Sequence, residues 1–215
     1  MIGFNLFAYC TNNPVNRTDE SGNASLPNWA KIAIGIGIIA GAAILTVATG
    51  GAAAGVAGYV AAGVLKGALV GGAIGAAGGA VNGAVGNRIK TGSWSGSGHA
   101  AINGAADGFM KGTITGAISG GARSVGKIAN ATKAWNGTTK YTPYQDMVRH
   151  YNKHVINEGQ KAVAKNIVKY TNDAVKFYNS NSSAGRMLRT GVMKISGAPG
   201  GIYTTSKKIL SFWYC

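Results

Sequence analysis

Hydrophobic and polar positions divide the chain into a long uncharged part and a shorter, strongly patterned C-terminal part. Residues 32–65 carry no charged side chain, and Lys31 and Lys66 bracket this run. The run is longer than the roughly 20 apolar residues that cross a bilayer. It consists mostly of Gly and Ala, however, which gives it only a modest drive to insert. The pattern predicts a hydrophobic and mostly helical region.

Glycines then recur at every fourth position. They are Gly67, Gly71, Gly75, Gly79 and Gly83. Residues four apart share one face of a helix, so a second helix can approach such a stripe closely. Residues 100–121 repeat the small-residue composition after a turn-rich break. Three interpretations stay open: a membrane-active segment with contact through residues 32–85, a helical hairpin packed inside a larger shell, or a flexible spacer.

The C-terminal part, residues 143–215, has the periodicity of a small folded domain. Pro143 is well placed to open a helix, which is expected to end near Gly159. Its apolar stripe repeats at helical spacing. The stripe comprises Tyr144, Met147, Val148, Tyr151 and Val155.

A second amphipathic helix is predicted over residues 160–178, before a loop and three strand-like runs. Its predicted core face is Val163, Ile167, Val168, Thr171, Ala174, Val175 and Tyr178, and its predicted basic stripe is Lys161, Lys165 and Lys169. The strands are expected at residues 186–195, 201–205 and 209–214. The fold class is therefore α+β, with two helices followed by a small antiparallel sheet, preceded by the Gly/Ala-rich helical region.

Charge is concentrated in the same C-terminal part. The 215 residues include 21 Lys and Arg against 6 Asp and Glu, a formal net charge of +15, and from Lys133 onward 13 basic residues face three acidic ones. A basic domain points to a polyanionic partner, which is nucleic acid, an anionic membrane or an acidic protein. The two cysteines do not make a disulfide framework, and the first 30 residues lack the pattern of a signal peptide.

Two histidines four residues apart are the candidate chemistry. His150 and His154 fall next to each other at the edge of the apolar stripe, and Lys153 lies further round, towards water. Two imidazoles can act as base and acid in metal-free RNA cleavage, while Lys and Arg neutralise charge on the phosphorane. The alternative is a pair of boundary histidines that simply pack.

Other chemistries fit less well. The metalloprotease zinc motif needs Glu directly after the first His, and Tyr151 stands there. Asp146 and Glu158 flank the histidines without completing a ligand set at a usual spacing. The sequence has no phosphate-binding loop of the GxxxxGK[ST] type, so no metal or cofactor is expected.

The N-terminal residues resemble a known family. Residues 5–16 read NLFAYCTNNPVN, with a short strand expected at residues 4–9 and turns after it. This motif is similar to the end of the RHS-repeat-associated core of bacterial polymorphic toxins, which closes on a D-P-x-G motif where an aspartate-dependent self-cleavage releases the toxin. Here Glu20 stands in place of the family's proline, after Asp19. The resemblance implies four segments: core remnant 1–28, pre-toxin region 29–130, linker 131–142 and toxin domain 143–215.

The toxin domain resembles the barnase/EndoU/colicin/RelE-type ribonuclease toxins. Residues 147–154 (MVRHYNKH) and 199–213 (PGGIYTTSKKILSFW) are similar to that family's helix motif and last hairpin. The resemblance implies catalytic roles for His150, Lys153, His154, Thr204 and Thr205. The basic residues Arg186, Arg189 and Lys208 are the expected phosphate-binding set. Val155 stands where the family has glycine.

Together these features predict an endoribonuclease effector of an RHS-type toxin used in interbacterial competition. The expected partners are RNA, with tRNA as one candidate, and an acidic immunity protein. The effector is expected to be secreted or delivered as part of a larger toxin, to transit the target membrane and to act in the target cytoplasm. The alternatives are a membrane-active toxin that forms pores or depolarises through the Gly/Ala-rich region, and an inert orphan cassette.

Overall fold

A computed structural model describes residues 26–48 and 55–215 of the protein. The RHS-like motif, Asp19 and the strand expected at residues 4–9 lie outside these residues. The helices are α1 (Asn28–Ala48), α2 (Ala57–Thr91), α3 (Ser97–Thr132), α4 (Pro143–Tyr151) and α5 (Ile167–Asn181). The strands are β1 (Arg186–Met187), β2 (Val192–Ile195), β3 (Gly200–Thr204) and β4 (Ile209–Trp213). A mostly helical chain with a small antiparallel sheet at its C-terminal end confirms the α+β layout.

The described residues divide into two compact units. The first contains residues 26–38 and 70–114. Within it the backbones of α2 and α3 touch, since a Cβ built on Gly75 would overlap the carbonyl oxygen of Gly108, and one on Gly79 would overlap that of Gly104. The glycine stripe of α2 thus meets a glycine stripe of equal spacing on α3, which is the close approach of a second helix that the four-residue spacing permits.

The second unit contains residues 39–69, so far as they are described, and 115–215. In this unit Gly63 lies against Gly120, and Gly67 against Gly116, with the same backbone contact. Among the described helices α2 is long and apolar enough to cross a membrane, and 17% of its most apolar stretch is buried. A helix that is apolar but mostly unburied has its aliphatic side chains on the outside.

The sheet and its two helices form the main core of the second unit. The strands run in the order β1-β2-β3-β4, all neighbours antiparallel, with an irregularity in β3 between Ile202 and Tyr203. The largest fully buried side chains of this core are Trp135, Tyr170, Tyr203, Phe212, Met147, Ile167, Ile209 and Val155. The hydroxyl of Tyr203 donates to the Ala174 carbonyl over 2.9 Å, which ties the sheet to α5.

The first predicted helix begins at Pro143, as expected, and changes its winding midway. Thr142 caps it, because its side chain accepts from the Gln145 amide while the Gln145 side chain accepts from the Thr142 amide. The α-helix ends at Tyr151 and continues as a π-helical turn, Asn152–Asn157, before Gly159 adopts a left-handed φ of 73°. Of the predicted apolar stripe, Tyr144 is instead 43% exposed.

The second predicted helix begins later than predicted. Residues 160–162 form a short 3₁₀ turn, and α5 starts only at Ile167, where Asn166 caps it by accepting from the Lys169 amide. Asparagine favours such a cap position over a helix interior. The predicted core residue Val163 is accordingly 45% exposed. Lys161 and Lys165 lie before α5, so the three lysines do not form a stripe on one helix.

The strand predicted over residues 186–195 also needs correction. The run 186–195 is not one strand but a hairpin of β1 and β2, since Gly191 turns the chain with a φ of 74° and Leu188 donates to the Val192 carbonyl over 2.8 Å. Part of the expected linker, residues 131–142, packs against the sheet. Trp135 is buried in the core and forms a parallel bridge to Ile209 of β4.

Candidate active site

Four aromatic rings stand in a row where the α4 segment meets β4. The Trp135 and His150 ring centroids lie 5.5 Å apart, and those of His150 and His154 lie 5.6 Å apart with planes only 12° from parallel. Trp213 follows at 6.5 Å from His154. The π-helical turn places His154 one turn beyond His150, and such turns are frequent at functional sites. The structure therefore brings the two predicted histidines together, both with 7% of their surface exposed.

His150 is engaged at both ring nitrogens. Nε2 lies 2.9 Å from Nη2 of Arg149, and Nδ1 lies 3.3 Å from Oγ of Ser211. A guanidinium can only donate, so Nε2 accepts and Nδ1 carries the proton towards the serine. Burial lowers the pKa of His150 to about 4, against the opposing charge of Asp146 and with further lowering by Arg149. The ring is neutral at neutral pH and has no free lone pair.

His154 has one nitrogen fixed and one left over. Nδ1 lies 2.9 Å from Oε1 of Glu158, one turn further along. A carboxylate accepts, so Nδ1 carries the proton and Nε2 holds the lone pair. In the described part of the chain no group forms a hydrogen bond with Nε2. This nitrogen is also not one of the fully buried polar atoms, so it is open to an incoming group. Burial lowers the pKa of His154, while the Glu158 carboxylate partly opposes this.

Asp146 holds Arg149 in place beside the histidines. The residue is fully buried, and its Oδ1 accepts from Nε and Nη2 of Arg149 at 3.1 and 2.8 Å. Oδ2 is buried without a hydrogen-bond partner among the described residues. The side chain of Arg149 is 45% exposed. Pairing with Asp146 nevertheless fixes its guanidinium between the carboxylate and the ring of His150.

No hydrogen bond joins the other predicted catalytic residues to the histidines within the part of the chain that the structure describes. Lys153 is exposed. Thr204 closes the β3–β4 turn, since its Oγ1 accepts from the Lys208 amide at 3.0 Å and lies 2.9 Å from the Ser206 hydroxyl. Thr205 is exposed in the same turn. The hydroxyl that the structure does bring to a histidine is that of Ser211.

The predicted phosphate-binding residues are also spread out. Arg186 is on the edge strand β1 and Arg189 in the turn after it, while Ser211 lies on β4 at the opposite edge of the sheet. Three strand spacings of about 4.8 Å separate these edges by about 14 Å. Lys208 instead donates from Nζ to the carbonyl oxygen of Lys133.

Sequence reasoning missed several residues of this site. The positions 146, 150, 154 and 158 are spaced four apart, so the flanking carboxylates of Asp146 and Glu158 could have been assigned to the two imidazoles from helical spacing alone. Ser211 and Trp135 carried no such signal, because only the folded sheet brings them to the helix. No cluster of three or more potential metal ligands occurs in residues 26–48 and 55–215. The chain matches no known protein-family description, no curated protein and no solved structure.

Proposed function

We propose that the C-terminal domain cleaves RNA without a metal ion, with His154 as the general base. The observation that carries this proposal is the hydrogen bond between Nδ1 of His154 and Glu158, which leaves Nε2 with its lone pair outward. A carboxylate behind the opposite nitrogen sets the tautomer and stabilises the imidazolium that forms when the base takes a proton. A lowered pKa keeps the ring neutral, which is the form that a base requires.

The reaction proceeds by internal transfer. Nε2 of His154 takes the proton of a ribose 2′ hydroxyl, and the 2′ oxygen attacks the adjacent phosphorus. The bond from phosphorus to the 5′ oxygen breaks, and this oxygen takes a proton from solvent. The products are a 2′,3′-cyclic phosphate and a 5′ hydroxyl. Arg149 and Lys153, both exposed near the ring, supply positive charge for the phosphorane.

His150 serves this reaction as a positioning residue. Its two nitrogens are already bonded to Arg149 and Ser211, and its low pKa leaves it unprotonated at neutral pH. It is therefore not in the imidazolium form that a general acid requires. The stacked ring at 5.6 Å instead restricts the orientation of His154. The sequence predicted an acid–base pair of imidazoles. The proposal instead makes His154 the base and gives His150 only a positioning role.

The biological setting is proposed from the sequence resemblance. Residues 5–16 support a role as the C-terminal effector of an RHS-type polymorphic toxin, delivered into a competitor. An enzyme of this kind endangers its producer, so we expect an acidic immunity protein, which would associate rapidly with a domain that carries 13 basic and three acidic residues from Lys133 onward.

The test compares the full chain with single variants on RNA in the presence of EDTA. We expect the unaltered chain to leave 2′,3′-cyclic phosphate ends, and His154→Ala to lose this activity while it keeps the same melting temperature. His99→Ala is the matched control, since His99 is exposed on α3. Activity that is abolished by EDTA and restored by a divalent metal, or a folded His154→Ala variant with full activity, would overturn the proposal.

A second candidate function is insertion into membranes through the Gly/Ala-rich helices. The supporting observation is that α2 exposes aliphatic side chains while the glycines of its four-residue stripe face α3. These exposed residues are Leu69, Val70, Ile74, Val81, Val85 and Ile89. The test is leakage of dye from anionic lipid vesicles. Leakage that persists in His154→Ala would establish membrane activity independent of the histidines, and absence of leakage would exclude it.

A further inference from the structure

A groove of about 760 Å³ lies beside the aromatic row, in the second unit. The segment that leads into α4 forms most of it, and the β3–β4 turn contributes one lysine. The lining residues are Thr132, Lys133, Trp135, Asn136, Gly137, Thr138, Thr139, Lys140, Tyr141, Thr142, Pro143, Gln145 and Lys208. Its volume falls in the range of about 300–1,000 Å³ that ligand pockets occupy.

Hydrogen bonds hold the walls of this groove in place. The Asn136 amide donates to the Ile209 carbonyl over 3.0 Å, and the Ile209 amide donates to the Ala134 carbonyl over 2.8 Å. The Thr138 amide donates to the Tyr141 carbonyl over 2.8 Å and closes a turn. The segment is thereby fastened to β4 at one end and capped onto α4 at the other, so the groove is preformed.

The groove is positively charged. Lys133, Lys140 and Lys208 line it, and no Asp or Glu is among its lining residues. Nζ of Lys208 is held by the Lys133 carbonyl, and Nζ of Lys140 lies 5.6 Å from the ring centre of Tyr141. Three ammonium groups without a carboxylate among them favour an anion with several charges along its length.

Two contacts connect the groove to the histidines. Trp135 lines the groove and stacks on His150 at 5.5 Å. Tyr141 lines it too, and the guanidinium of Arg149, which bonds His150, lies 5.0 Å from its ring centre. A chain of anionic groups bound to the lysines would therefore lie beside Trp135, the first ring of the aromatic row.

From this arrangement we propose that the groove binds the phosphates of a single RNA strand and delivers it to His154. Lys133, Lys140 and Lys208 contact successive phosphates, and the strand leaves the groove past Arg149. The assignment of RNA as the ligand rests on the proposed cleavage reaction, while the groove as a polyanion site rests on its own residues. A strand fits better than a membrane surface, because the lysines share the groove with hydroxyl, amide and aromatic side chains and with no Leu, Ile or Val that would enter a bilayer.

The experiment measures binding separately from cleavage. The probe is a short fluorescein-labelled 2′-O-methyl oligoribonucleotide, which keeps the phosphates but has no 2′ hydroxyl to react. The full chain is compared with Lys133→Ala/Lys140→Ala, and with Lys165→Ala/Lys194→Ala as the control. The control removes the same charge from two exposed lysines outside the groove. Equal melting temperatures establish that both variants fold.

We expect the groove variant to bind on the order of tenfold more weakly than the control. Its slope of log affinity against log salt should be shallower by about 1.4, since each phosphate contact on a single strand contributes about 0.7. Equal affinities and slopes for the two variants would overturn the proposal. So would a larger loss of binding to anionic vesicles than to the oligonucleotide. Normal probe binding by a chain that cleaves no RNA would leave the groove intact and overturn only the reaction.

Discussion

Nε1 of Trp135 donates a hydrogen bond of 3.0 Å to Oγ1 of Thr171, and both residues are buried. This bond joins the segment before α4 to the first half of α5. Thr171→Val keeps the shape of the side chain and leaves the indole N–H without a partner. We expect the free energy of unfolding to fall by about 1–3 kcal/mol. Urea denaturation checks this, with exposed Thr139→Val expected to change stability little.

The pH dependence of stability should report His150. Its pKa is about 4 in the folded chain and 6.5 as its ordinary value, so between these pH values the unfolded chain binds a proton that the folded chain does not. Stability therefore falls as pH drops from 6.5 towards 4, by up to about 3 kcal/mol. Urea titrations at several pH values measure the slope.

In His150→Asn this slope should become shallower, while His99→Ala should keep it. Some slope remains in His150→Asn, because burial also lowers the pKa of His154. An unchanged slope in His150→Asn would show that the ring is not the group that titrates.

The pH dependence of RNA cleavage should report His154. The base acts when neutral, so cleavage should rise with pH to a plateau, with a midpoint below the ordinary histidine value because burial lowers the pKa of His154, and show no descending limb from His150. Glu158→Gln removes the charge that raises this pKa. Its midpoint should move to lower pH and its plateau should fall on the order of tenfold. A bell-shaped profile that His150→Asn converts into a plateau would restore the acid–base pair.

Two neighbouring glycines of α2 should respond in opposite directions to the same substitution. Gly75→Ala places a methyl group on the Gly108 carbonyl, whereas a methyl group added at Gly78 would meet nothing within 4 Å. Alanine in a helix is favoured over glycine by about 1 kcal/mol. We expect Gly78→Ala to raise the thermal stability of the helix signal in circular dichroism and Gly75→Ala to lower it. Equal shifts would show that the glycine contact does not hold the helices together.

Much of the helical and sheet content followed from pattern. Pro143 after a threonine placed the start of α4 correctly, and the four-residue glycine spacing marked the face on which α2 is packed. The start of α5 was missed because the hydrophobic period runs through residues 163–178 without interruption, while the cap at Asn166 competes with it locally. The β1–β2 hairpin was missed for a similar reason, since Gly191 lay inside an otherwise strand-like run.

The candidate site was only partly predictable. Helical spacing placed His150 and His154 together, because both lie on one segment. The hydroxyl that meets them could not be predicted in the same way, because Ser211 is 61 residues from His150 in sequence. The catalytic roles of Thr204 and Thr205 were predicted from the resemblance of the last hairpin to a known family. Such a resemblance does not determine which residues of β4 lie opposite α4.

The parallel bridge between Trp135 and Ile209 also bears on where the C-terminal domain can be separated from the rest of the chain. A protease or a recombination event that cuts within residues 136–142 would remove from the core the largest of its fully buried side chains and leave the Ile209 amide without the Ala134 carbonyl. The freed fragment would also lose Lys133, Trp135 and the hydrogen bond to Thr171. An autonomous domain therefore has to include the segment from Lys133 that follows α3, so a cut that leaves this core intact has to fall on the N-terminal side of Lys133.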